Sequence, residues 1–343
     1  MGISGCKMTH FHGKITSGFV TRAGSHRHTS VRGLSNCGLS CCINALLQTF
    51  AATTELQELL SRWQPSENAS KMNVLLELKR ALEGMKDKRQ ARPHLDLLDC
   101  LHEYNICRST EHDADEVFHT ILNLIQKQMS DQQIAADIKN LYKIDVEECT
   151  ECSECGNVQR APNIFLSFPL HLHEDRNTLM DCFRMFFEPQ MLEDSEAFYC
   201  GRCEKKMPST QRCKLVSLPS ILCINLKRFR NISGYTKKLY AKVSFPETIN
   251  LADILPEEHS QVAERRYRLY AVVVHAGMSM MGHYTAYIYS TDSKWYYVDD
   301  SHMQQVSWEE VQRTYGGSRW SSETAYMLLY RTLSSGAVQE PNP

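Results

Sequence analysis

The sequence predicts an α+β protein whose helices come first and whose strands come later. Up to about residue 145 the apolar residues recur at steps of three to four. Beyond Cys149 they gather instead in short β-branched and aromatic runs. No strand–helix–strand alternation occurs, so the sheet is expected to be mainly antiparallel. The composition suits such a fold. The 343 residues carry 38 Lys and Arg against 40 Asp and Glu, a formal net charge of −2, with 16 Gly and 11 Pro. Collagen-like and low-complexity classes fail on those counts. A neutral chain without a basic tract also has no electrostatic footprint for nucleic acid or an anionic membrane surface.

The elements follow in chain order. Residues 1–30 mix Gly, Ser, Thr, His and Arg with no apolar period and are expected to form a tail, while 31–333 make up the folded domain. Leu46, Leu47 and Phe50 form a first helical stripe, and Val74, Leu75, Leu78 and Leu82 a second. Phe118, Ile121, Leu122, Ile125 and Met129 form a third, and all three are read as core faces. Leu222, Ile224 and Leu226 then alternate as a strand does, followed by runs at 269–274, 284–289, 295–298 and 326–330. Residues 334–343 are small, polar and Pro-punctuated, a second tail. The charge-free stretches 33–54 and 269–291 are too polar to span a membrane, because Asn36, Asn44 and Gln48 interrupt one and His275 and His283 the other. No signal-peptide core is present. Membrane insertion is therefore not expected, and the many thiols suit a cytosolic protein with access to the nucleus.

The 14 cysteines sort by spacing. Cys152 and Cys155 form one C-x-x-C, Cys200 and Cys203 another, each with a Gly that eases a knuckle turn. Four thiolates from two such pairs suit a tetrahedral Zn²⁺ with no open position, which makes the metal structural rather than catalytic. The 44 residues between Cys155 and Cys200 exceed a single ribbon, so the pairs are expected on two separate hairpins. Redox pairing is the competing reading. Cys149 is a rival ligand that breaks the symmetry.

The segment 33–48 reads Gly-Leu-Ser-Asn-Cys-Gly-Leu-Ser-Cys-Cys-Ile-Asn-Ala-Leu-Leu-Gln, a Gly-punctuated loop entering an amphipathic helix. With Ser40 as N-cap, Cys41 falls in the first turn, where free backbone N–H groups and the positive end of the dipole favour a thiolate. The same amides, with the Asn36 side chain curling back, suit an oxyanion. A buried structural Cys pair is the alternative. A cysteine nucleophile needs a base and a group to orient it. Downstream, 274–287 offers His275 and His283, and 295–300 ends in Asp299 and Asp300. His283 follows Gly282 at a strand start, where bare backbone lets a ligand approach. His275 ends a valine run and reads as structural.

These segments, in this order, resemble the ubiquitin-specific proteases, papain-like cysteine isopeptidases, over about residues 33–331. The 33–48 segment resembles that family's nucleophile box. Residues 111–118, Glu-His-Asp-Ala-Asp-Glu-Val-Phe, look like its second motif, with Glu111 where a Gln is usual, and 218–229, 282–284, 295–300 and 325–330 are similar to its palm strands. The resemblance implies a helical thumb over about 31–148, zinc-bearing β fingers over about 149–215 and an antiparallel β palm over about 216–333. It further implies Cys41 as nucleophile, Asn36 in the oxyanion hole, His283 as base, Asp299 as its orienting group and Asp300 as an assisting neighbour. The Cys41–Cys42 doublet and segment 306–316 are similar to members that remove the two-domain, interferon-stimulated ubiquitin-like modifier from substrate lysines. Partners implied are that modifier and its conjugates, and interferon receptor or signalling proteins, engaged by a monomer. Two alternatives stand beside this one, a general deubiquitinase and a mainly non-catalytic adaptor that damps interferon receptor signalling.

Overall fold

The computed structural model describes residues 31–65, 72–87, 89–232, 234–253, 265–279, 281–317 and 322–333; the two tails expected at 1–30 and 334–343 lie outside them. Six helices open the described chain: α1 (Cys41–Ala52), α2 (Thr54–Arg62), α3 (Val74–Lys86), α4 (Leu95–His102), α5 (Ala114–Gln128) and α6 (Gln132–Tyr142). Three start on a side chain that accepts from first-turn amides: Asn73 for α3, Asp113 for α5 and Asp131 for α6. Each such cap stabilises its helix by about 1 kcal/mol. Helix α1 is buried continuously from Cys41 to Phe50, because the other helices cover one side and the sheet covers the other. Phe50 stacks on Phe118 of α5 at 5.7 Å.

Strands follow: β1 (Ile144–Cys152), β2 (Val158–Phe165), β3 (Phe168–Leu170) and β4 (Arg176–Thr178), then α7 (Leu179–Phe187), β5 (Gln190–Leu192), β6 (Phe198–Cys200), β7 (Lys205–Met207), β8 (Ser209–Ser217) and β9 (Ile221–Leu226). The remainder is β10 (Phe229–Ile232), β11 (Tyr235–Lys238), β12 (Lys242–Ser244), β13 (Thr248–Asn250), β14 (Arg266–Met278), β15 (Met281–Tyr289), β16 (Trp295–Asp299), β17 (His302–Val306), α8 (Trp308–Gln312) and β18 (Thr324–Thr332). An eight-stranded sheet has the order β17-β16-β15-β14-β18-β9-β3, with β13 also on β14. It is antiparallel except where β3 joins β9 in parallel. Both faces of this sheet are covered, and strand alternation divides the side chains between two cores. Ile221, Cys223, Ala271 and Val273 pack toward the helices; Leu222, Ile224, Val272 and Val274 pack away from them. This explains why the strands read as near-continuous apolar runs.

A second sheet, β2-β1-β8-β5, with the β6–β7 hairpin beside it, forms the fingers. Its boundaries differ from the expected 149 and 215. Strand β1 begins at Ile144, where Ile144 and Val146 already alternate into a core. Between the two cysteine pairs the chain also returns to the large sheet as β3 and forms α7. That helix was not anticipated from the sequence, although its start is legible in retrospect. Thr178 and Asp181 form a reciprocal capping box. Phe183 and Phe187 of α7 then pack edge-on against Phe168 at 5.4 and 6.0 Å.

Candidate active site

The loop that delivers Cys41 is held against the β16–β17 turn. At Gly33 any Cβ would lie 2.5 Å from the Ser301 carbonyl oxygen, so only glycine lets the two backbones approach this closely. The Leu34 N–H donates to the Asp300 carbonyl at 2.8 Å. Ser40 sits at the N-cap position, but its side chain does not cap α1, which corrects the expectation. Its backbone is near-helical (φ −89°, ψ 5°), and Oγ turns back to accept the Cys37 N–H at 2.9 Å. The hydroxyl is therefore not spent on the amides around Cys41.

Cys41 is 8% exposed. It lies close enough to the ring of His283 on β15 to act on its titration, while His283 Nε2 lies 2.6 Å from Asp299 Oδ1 at the end of β16. With Nε2 on Asp299, Nδ1 is the ring nitrogen left to serve the thiol. The His283 pKa is raised to about 9, chiefly by Cys41 and then by Asp299, with burial opposing. The ring is thus an imidazolium at neutral pH. Cys42 is the opposite case. It is fully buried, and burial, then the neighbouring Cys41 and Asp113, push its thiol far above the usual range. A protonated, enclosed thiol is no nucleophile.

Asp300, next to Asp299, adopts a left-handed backbone (φ 46°). Its Oδ2 accepts from Asn36 Nδ2 at 2.8 Å and its Oδ1 from Asn44 Nδ2 at 2.7 Å. It therefore fixes Asn36 through one N–H of the amide and leaves the second N–H for a ligand. His283, Asp299 and Asp300 still present ligand atoms within 4.8 Å of one another.

His275 is buried and neutral: burial, Lys238 and His283 lower its pKa to about 3. Its ring meets Tyr284 at 4.8 Å and Phe229 at 5.1 Å. It also fills the space over Gly282, where a Cβ would sit 1.9 Å from His275 Nε2. Gly282 is bare to admit that ring, a reason for the glycine that the sequence reading did not give. A second cysteine–histidine pair, Cys37 and His94 at 3.9 Å, was not read from the sequence. His94 Nε2 rests on the Ser35 carbonyl at 3.0 Å, so this nitrogen is a donor and cannot take a thiol proton.

Beside the β15 start lies a cleft of about 750 Å³ lined by Leu39, Glu111, Asp113, Phe229, Met281 and Tyr284, among others. The Glu111 carboxylate accepts the Gly282 N–H at 2.9 and 3.1 Å, tying the α5 lead-in to the strand that bears His283. Asp113 caps α5 with Oδ1 and accepts from the Tyr326 hydroxyl with Oδ2.

The two C-x-x-C pairs sit in the β1–β2 and β6–β7 turns, two separate hairpins. Cys155 and Cys200 Sγ atoms are 3.5 Å apart, Cys152 and Cys203 Sγ atoms 4.0 Å apart, and all four lie within 4.8 Å of one another. A tetrahedral zinc with Zn–S bonds of about 2.3 Å requires sulfurs about 3.8 Å apart, so the quartet fits that metal. The Cys203 and Arg202 amides pull the Cys200 pKa down to about 6, while the contact with Cys155 pushes the Cys203 thiol up to about 12, so the four sulfurs titrate as one group. Cys149 lies apart from the quartet, its thiol on Glu147 and near Arg160.

The chain matches the sequence profile described as "Ubiquitin carboxyl-terminal hydrolase" over residues 32–330. It is 36% identical to Ubl carboxyl-terminal hydrolase 18 of Mus musculus over 317 residues, covering 88% of this chain and 86% of that protein. To the Homo sapiens protein of the same name it is 34% identical, covering 91% and 87%. Among solved structures it resembles the SAGA DUB module containing Ubp8 bound to monoubiquitin, with a TM-score of 0.76 at 22% identity, covering 91% of this chain and 71% of that one. The same kind of module bound to ubiquitin aldehyde gives 0.75 at 22% identity, covering 90% and 70%.

Proposed function

The chain belongs to the ubiquitin carboxyl-terminal hydrolase family, thiol-dependent hydrolases, and from that premise we propose that it cleaves the isopeptide bond between the C-terminal glycine of a ubiquitin-like modifier and substrate lysines. The preferred modifier in this reading is the two-domain, interferon-stimulated one, and its removal counteracts interferon signalling. The protein acts as a monomer in the cytosol, with access to the nucleus. The support for a modifier other than ubiquitin is that the relatives at 36% and 34% identity carry "Ubl" rather than "Ubiquitin" in their names. A general deubiquitinase is the second reading, favoured by ubiquitin in both structural neighbours.

The observation that carries the chemistry is the convergence of Cys41, His283 and Asp299 from α1, β15 and β16. In this mechanism the Cys41 sulfur, paired with the His283 imidazolium, attacks the carbonyl carbon of the modifier's last glycine. The second Asn36 N–H and the Cys41 backbone N–H, at the positive end of α1, hold the oxyanion. His283 passes its proton to the departing lysine amine, and Asp299 keeps the ring oriented. The neutral imidazole then takes a proton from water, which hydrolyses the thioester. Asp300 serves by holding Asn36. Cys152, Cys155, Cys200 and Cys203 would hold a structural Zn²⁺ that clamps the two finger hairpins together, with no part in the bond-breaking.

Mass spectrometry with propargyl-tailed probes made from ubiquitin and from the two-domain modifier tests this. Labelling by the two-domain probe alone, abolished in Cys41→Ala, is the expected result. Labelling by both supports the broader deubiquitinase. If folded, zinc-loaded protein reacts with neither, the catalytic reading fails and a mainly adaptor role replaces it.

A further inference from the structure

Lys238, at the end of β11, is 4% exposed, and its ammonium donates to three backbone carbonyls: His275 at 2.7 Å, Ser322 at 2.9 Å and Gly277 at 3.2 Å. The location of those carbonyls matters. Strand β18 accompanies β14 only as far as the pair His275–Thr324. Beyond it, β14 continues to Met278 with β15 on one side and, among the described residues, no strand on the other. The part of β14 that lacks β18 is the part that faces the site, since Ala276 is the cross-strand partner of His283 and Gly277 that of Gly282. Lys238 thus grips the carbonyls on either side of the residue opposite His283. Ser322 Oγ accepts the Gly277 N–H at 3.1 Å, and Tyr240 donates its hydroxyl to the Gly277 carbonyl at 3.1 Å.

An ammonium with all three N–H groups on carbonyls is a directional substitute for a strand edge, and here it adds to the Thr324 hydroxyl on the His275 carbonyl and the Tyr240 hydroxyl on the Gly277 carbonyl. We propose that Lys238 is a positioning residue for the hydrolysis: it stands in for the missing strand along β14 and so keeps His283 in line with Cys41 and Asp299. Its cost of burial is considerable, since desolvation lowers its pKa to about 7, with Arg228 adding to that effect and Glu323 opposing it.

The inference rests on His283 being the base, and the test separates the two. The charged and titratable groups facing His283 are Cys41 on α1, Asp299 and the nearby Asp300 at the end of β16, and His275 on β14. Lys238 itself titrates near 7, and above that pH the alkaline limb of kcat/KM in the zinc-loaded full chain reads the Cys41 and Asp299 contacts that hold His283 near 9. In Lys238→Met that limb is expected to move toward 6.5 by about one unit, with kcat down about tenfold and KM within twofold. Lys238→Arg, which keeps charged donors, is expected to recover most of both. Should Lys238→Met not fold, Ser322→Ala loosens the same edge and is expected to move the limb in the same direction by less. A limb and kcat unmoved in folded Lys238→Met, or in Ser322→Ala if the former does not fold, overturn the inference. An unmodified chain with no limb near 9 and no labelling at Cys41 overturns the catalytic reading instead.

Discussion

Replacing Asp299 by Asn removes a charge and little else, which makes it the sharpest probe of the site. The 2.6 Å contact to His283 Nε2 is a charge-assisted hydrogen bond, a class that contributes about 1.5–3 kcal/mol when shielded. The two side chains are 40% and 38% exposed, so water screens the charge, and about half that figure remains. About 0.8–1.5 kcal/mol corresponds to about one pH unit or somewhat less. The His283 pKa lies above its ordinary 6.5, so the stabilisation is complete below 6.5 and vanishes as pH rises through about 9. Asp299→Asn is therefore expected to bring the alkaline limb of kcat/KM from near 9 to near 8, while the Asn carbonyl still accepts the ring N–H and preserves its orientation. Asp299→Ala loses both effects and should cost kcat about a hundredfold further. The assay is release of a fluorogenic amine from the modifier's C-terminus between pH 6 and 10. If neither variant shifts the limb, Asp299 does not act on His283 and the triad is wrongly drawn.

Other perturbations address the neighbouring features. Cys41→Ser should abolish turnover, whereas Cys42→Ala, deleting a buried sulfur, should leave kcat within about threefold and cost on the order of 1 kcal/mol in denaturant unfolding. Gly282→Ala drives a methyl into His275, so a loss of more than about 2 kcal/mol in stability and of most activity is expected, read by thermal denaturation and turnover. Metal analysis should return one zinc per chain, falling to none in Cys200→Ser, with a lower thermal midpoint that added zinc does not restore. A full zinc complement in that variant would remove the quartet as the site.

The candidate residues stood out because of their surroundings in sequence: a Gly-framed loop before a helix, two knuckle spacings, a histidine at a strand start. Partnership was harder to read. Nothing in the order of residues says that Asp300 holds Asn36 and Asn44, since that depends on a left-handed residue in the β16–β17 turn. Gly282 was read as space for a ligand because the sequence does not reveal a histidine seven positions earlier lying across it. Helix α7 escaped for a local reason: nine residues rich in Phe and Met are too few for a period to stand out, and only the Thr178–Asp181 box marks the start. Lys238 was invisible, because a lysine beside another lysine reads as solvated surface until three carbonyls surround it.

The bonds from Asp300 back to Asn36 and Asn44 span 264 and 256 residues. During synthesis at about 5–20 residues per second, Cys41 leaves the ribosome about 10–50 s before His283 is made. For that interval the thiol has neither its base nor the turn that seats its loop, and a nascent or truncated chain carries an ordinary cysteine. In the proposed mechanism reactivity arrives only when the two ends of the domain close on each other, so labelling at Cys41 would double as a reporter of completed folding.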